Sequence, residues 1–178
     1  MTHPRMTRGE LLAASSDSYS ADTVLFATLL AAHDELGLSE GQLASLYGRH
    51  FPAMPTPRSG VLIRSEEQAG FVEALGAFLL SHAAKSANLA DAECLASIIA
   101  HACLRPDHLW RDLGLSGRDE VTDMLSRYFP ALVARNVDGM RWKKFLAREL
   151  ALSLGVTPQP APGCPGCEDF TYCFSDKA

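Results

Sequence analysis

The C-terminal stretch APGCPGCEDFTYCFSDKA carries three closely spaced cysteines, Cys164, Cys167 and Cys173. Cys164 and Cys167 form a C-x2-C pair, the spacing at which one tight turn presents two thiolates to a single metal or to two neighbouring irons. Pro165 and Gly166 between them suit that turn. Cys173 follows after enough chain to fold back and offer a third sulfur to the same centre. Metal ligation is therefore the first chemistry the tail suggests. The chain has five cysteines, an odd number, and clustered thiols in a reducing compartment serve metals or redox chemistry more often than structural disulfides.

Three local thiolates do not by themselves select the metal. A structural zinc site usually takes four ligands, commonly as two separated pairs, and no second pair lies near the tail. A cubane iron-sulfur cluster on three cysteines leaves one corner open to another ligand or another metal. The spacing does not match the three-then-two pattern of radical enzymes. Cys94, in step with Ile98, reads as a small buried core residue, whereas Cys103 fits equally a core residue and a distant fourth ligand. His108 in DHLW fits a hydrogen-bonded structural group or a neighbour of the metal, with His101 a weaker candidate. Trp110 reads as packing. Arg141, Lys143, Lys144 and Arg148 crowd the helix before the tail in a chain of net charge -5. They read as an ordinary solvent face, or as cations that offset an anionic cluster, attract an oxyanion or meet an acidic partner.

The elements that must hold these groups read as helices. Thr7 with Glu10, Ser39 with Gln42 and Ser65 with Gln68 have capping-box spacing, and Ser20 precedes an apolar-periodic run that Gly37 is expected to end. A further helix is expected from about Ala90 to Leu104, placing Cys103 at its end. Ser116 with Asp119 opens another, and MRWKKFLARELALSLG reads as the last. From Val156 the helical period is lost. These signals predict an all-α fold, one bundle of six to eight helices, with residues 1–155 as the helical domain and 156–178 as an irregular Cys-rich metal-binding tail. Because a metal centre's ligands have little else to order them, the tail is expected to be flexible or differently folded without metal.

The 178 residues suffice for a core without disulfide staples, and 47% hydrophobic with 21% charged residues is the balance of a soluble globular chain. The acidic balance argues against nucleic acid as partner. No apolar run approaches the ~18 residues of a membrane span, and the N-terminus lacks the pattern of a signal peptide. A cytoplasmic protein is expected.

Three stretches in order, CLRPDHLWRDLGL (103–115), RNVDGMRWKKFLARELA (135–151) and APGCPGCEDFTYCF (161–174), resemble the consecutive signatures of the NifQ family of nitrogen-fixation accessory proteins. The resemblance implies a carrier, not a turnover enzyme. It would hold an iron-sulfur cluster that also takes molybdenum, supplied as molybdate, and donate that molybdenum to nitrogenase cofactor assembly proteins building the iron-molybdenum cofactor. The family's tail pattern is C-x4-C-x2-C-x5-C, whose last three cysteines correspond to Cys164, Cys167 and Cys173. The first position is Gln159 here, and an amide is a poor substitute for thiolate at iron. The resemblance then implies that three thiolates suffice, with Cys103 as a ligand the fold could add, His108, Lys143 and Lys144 beside the cluster, and the open corner serving molybdenum. The alternative is a helical protein-binding module whose tail closes around structural zinc.

Overall fold

In the computed structural model, which describes residues 5–60 and 62–175, the early helices start where local chemistry says they should. Thr7, Ser39 and Ser65 each accept the N3 backbone N–H, while Glu10, Gln42 and Gln68 accept the cap N–H in return. This reciprocal box satisfies two donors that a helix start otherwise leaves orphaned. The helices so opened are α1 (Arg8–Ala13), α3 (Glu40–His50) and α4 (Glu66–Ser81). Ser20 caps α2 (Ala21–Ala32) and Asn88 caps α5 (Leu89–Ala102) with single side-chain bonds. The chain continues through α6 (Leu109–Asp112), α7 (Arg118–Tyr128), α8 (Pro130–Arg135) and α9 (Trp142–Ser153), then a 3-10 turn at Cys164–Gly166 and α10 (Phe170–Phe174). Every regular element among the described residues is helical, as the sequence predicts. Six helices are long; α1, α6, α8 and α10 are short and fill the corners.

Helix α5 runs through the middle, against α3 and α4, with α9 also packed on α4. It is buried on nearly every side, through Ala92, Cys94, Leu95, Ile98, Ile99 and Ala102, which is the pattern of a central helix rather than an amphipathic surface one. Phe26, Phe51, Phe129 and Phe145 are fully buried in the same core. Side chains of this size each contribute roughly 1.5–3 kcal/mol when removed from water, so this core, not the tail, carries the fold. One buried polar cluster ties three helices. His50 sits between Thr23 Oγ1 at 2.9 Å and the Asp91 carboxylate at 3.0 Å, and Arg49 donates to Asp91 at 2.8 Å, tying α2, α3 and α5 together.

Two local expectations shift. Helix α2 ends at Ala32, where His33 turns extended, and Gly37 instead serves a loop: its φ is +76° and a Cβ there would meet the His101 ring at 2.1 Å. A glycine that reads as a helix stop is in fact required by a close approach. Helix α7 starts at Arg118 after Gly117, and the Ser116 N–H is taken by the Glu120 side chain at 2.7 Å, so Ser116 is not the cap. No helix among the described residues is long and apolar enough to cross a membrane.

Candidate metal centre

The inner part of the tail packs against the body of the protein. Ala161 is fully buried and Cys164 nearly so. The Gly163 N–H donates to the Cys103 carbonyl at 2.9 Å, and a Cβ at Gly163 would lie 1.9 Å from the Arg105 carbonyl oxygen. Only glycine permits this backbone-to-backbone approach. Gly166 is similarly close to Pro106, where a Cβ would come within 2.6 Å of the ring. The end of α5 and the loop after it are thus the seat on which the C-x2-C turn is built.

All three tail cysteines line one cleft. Its other walls are Leu109 and Trp110 of α6, Val121 of α7, Trp142 at the start of α9, and Phe170 and Phe174 of α10. Cations ring it: Arg118, Arg141, Lys143 and Lys144 are also lining residues. Trp142 adds a specific feature, because its indole Nε1–H is buried with no acceptor in the protein. A buried donor without a partner typically costs about 1–3 kcal/mol. Three soft sulfur donors and a cation-rich lining together fit an anionic metal-sulfur group.

Lys143 departs from the solvent-face reading. Its ammonium is buried, donating to the Asp112 carboxylate and to the Arg105 carbonyl at 2.8 Å. Its charge is felt at Cys103 and Cys164. Burial pushes the Cys164 thiol above its usual range, and Lys143 opposes that rise. Cys103 is fully enclosed behind Cys164; burial pushes its thiol up to about 12, again against the pull of Lys143. Cys103 does not line the cleft, so Cys164, Cys167 and Cys173 share its lining while Cys103 stays in the wall behind them. Cys94 is in the core, as expected.

His108 stands at the cleft as the N-cap residue of α6, with Nε2 3.0 Å from Asp169 Oδ2. Lys144 lines the cleft and donates to the Cys173 carbonyl. Arg148 points elsewhere, to Met140 Sδ at 3.4 Å. His101 is buried away from the thiols, with Nδ1 2.7 Å from the Ser97 carbonyl oxygen, and Gln159 is exposed. Sequence reasoning missed Asp112, Arg118, Trp142 and Asp169. The face made by Lys143, Ala147 and Leu150, at i, i+4 and i+7, was the available sign that Lys143 turns inward.

Among the described residues one trio has donor atoms all within 4.8 Å of one another: Asp107, His108 and Glu168. Arg111 already bridges its carboxylates, at 3.2 Å from Asp107 and 2.9 Å from Glu168. That makes it an ion-paired tie between α6 and the tail rather than an open cation site.

Fold and site define a small all-helical protein whose C-terminal thiols converge on a basic, aromatic-walled cleft. A family model described as NifQ matches residues 19–175. A protein NifQ homolog of Sinorhizobium fredii is 39% identical over 145 residues, 80% of this chain and 62% of that protein. Protein NifQ of Azotobacter vinelandii is 34% identical over 78% of this chain and 76% of its own length, and protein NifQ of Rhodobacter capsulatus 31% over 79% and 76%. The chain belongs to the NifQ family. No solved structure gives a significant match.

Proposed function

We propose that this protein is a carrier of an iron-sulfur cluster that also takes molybdenum, and that it donates the molybdenum for assembly of the nitrogenase iron-molybdenum cofactor. Membership of the NifQ family supports a role in nitrogen fixation connected with molybdenum. The observation that supports the finer reading is the convergence of Cys164, Cys167 and Cys173 on one cationic cleft from which Cys103 is excluded. Three thiolates hold three irons of a cubane and leave one corner for molybdenum that enters as molybdate and later departs. A corner without a protein thiolate lets go more easily than one with it. Lys144 supplies positive charge beside an anionic cargo, Lys143 with Asp112 forms the floor, and the aromatic walls limit water. The role is delivery to nitrogenase cofactor assembly proteins, not turnover.

The test is anaerobic reconstitution of the full chain with iron and sulfide, comparing Cys164→Ser, Cys167→Ser, Cys173→Ser and Cys103→Ser. Each tail variant is expected to lose most of the bound iron, and Cys103→Ser to keep it. Iron retained in all three tail variants would rule the cleft out.

A further inference from the structure

The two halves of the tail are held by different physics. The inner half, Ala161 to Cys164, is buried and fixed by backbone packing on Cys103 and Arg105. The outer half carries Cys167 and Cys173 on a segment ending in α10, no residue of which is buried. Phe170 and Phe174 lean on the cleft wall, but the directional ties are charged side chains. Arg111 reaches Glu168 at 2.9 Å, and Lys144 meets the Cys173 carbonyl and lies 5.0 Å from the Phe174 ring. Between the two thiols, Asp169 Oδ2 lies 3.0 Å from His108 Nε2 and 3.1 Å from Arg141 Nη2. One carboxylate oxygen therefore ties the outer segment to α6 and to the start of α9 at once.

We propose that Asp169 is the positioning residue of the site: its bridge to His108 and Arg141 latches Cys167 and Cys173 over the cleft, and opening that latch is how cargo is let go. The proposal rests on the carrier reading for its cargo, but the latch itself is a property of the metal-free chain. Opening lifts two of the three thiolates together and leaves Cys164 in place. The departing thiolates keep their bonding electron pairs and a donor group of the acceptor takes each vacated iron position, so no oxidant or reductant is called for. Ties of this kind, with Asp169 and Arg141 35% and 41% exposed, are screened by salt and open to competition from a partner's charges, unlike the buried seat of Cys164. An acceptor with charged groups at its docking face can thus trigger delivery without dismantling the fold.

The experiment measures alkylation rates of each cysteine by iodoacetamide and mass spectrometry in the metal-free full chain, at low and high salt, for wild type, Asp169→Asn, Arg141→Gln and Asp169→Glu. Asp169→Asn and Arg141→Gln are expected to speed modification of Cys167 and Cys173 on the order of tenfold at low salt, the factor that corresponds to about 1.4 kcal/mol. Cys164 stays slow in both variants, Asp169→Glu restores much of the wild-type protection, and high salt brings wild type toward the variants. After anaerobic loading with iron and sulfide, Asp169→Asn loses iron to a chelator several-fold faster than wild type. Unchanged rates at Cys167 and Cys173 in both Asp169→Asn and Arg141→Gln would overturn the latch, as would equal acceleration at Cys164. Failure of wild type to bind iron would instead strike the carrier reading, and the alkylation result would still decide the latch.

Discussion

Replacing Lys143 by Met tests whether the floor of the cleft is organised by a buried charge. The Lys143 ammonium and the Asp112 carboxylate are 5% and 7% exposed, so the variant strands an anion that water barely reaches. Asp112 keeps the Asp107 N–H at 3.2 Å, which places the cost at the low end of the ~3–5 kcal/mol that breaking one side of a buried pair incurs. A loss of about 3 kcal/mol is large against the roughly 5–15 kcal/mol of a typical domain. At about 2–4 °C per kcal/mol for a chain of this size, the melting temperature should fall by roughly 6–12 °C. The double variant Lys143→Met with Asp112→Leu removes both charges and should recover most of that loss, because the pair's desolvation cost disappears with it. Circular dichroism melts and urea titrations of the two single variants and the double variant give the cycle. Single variants costing under ~1 kcal/mol, or a double variant as unstable as the sum of the singles, would refute the reasoning.

Further outcomes follow from the same geometry. Gly163→Ala, whose Cβ would collide with the Arg105 carbonyl, should undock the inner tail and expose Cys164 to alkylation while the urea midpoint of the body changes little. Burial pushes the Asp91 carboxyl up, but His50 and Arg49 outweigh it and hold it below the ordinary range. Its contribution is therefore complete at neutral pH and lost as pH falls through and below the usual Asp value, so urea midpoints should drop on acidification and Asp91→Asn should flatten that drop. Cys103→Ala should lower the melting temperature through a small cavity yet leave iron per chain unchanged after reconstitution.

The helical scaffold was legible because its signals are local. Ser39 with Gln42 and Ser65 with Gln68 cap their helices through contacts made within one turn, and no tertiary packing needs to be known to read them. Cys164, Cys167 and Cys173 were legible as a ligand set for the same reason. What escaped notice depends on distant partners. Gly37 looks like a helix stop until the His101 ring is seen against it, and Lys143 looks solvent-facing until Asp112, thirty-one residues earlier, is placed beside it. Asp169 sits unremarked among acidic tail residues, since its meaning lies in His108 and Arg141 on two other elements. Cys103 is the instructive case. Periodicity left it equally a core residue and a ligand, and the fold encloses it behind Cys164 with its thiol pushed up to about 12.

The carrier reading is tested most directly by iron, sulfide, molybdenum and zinc analysis of the full chain purified without oxygen and then supplied with molybdate. The account predicts a brown protein with broad visible absorption, iron and sulfide bound at the tail, and molybdenum taken up by that form alone. A colourless protein holding one zinc and no iron would contradict it.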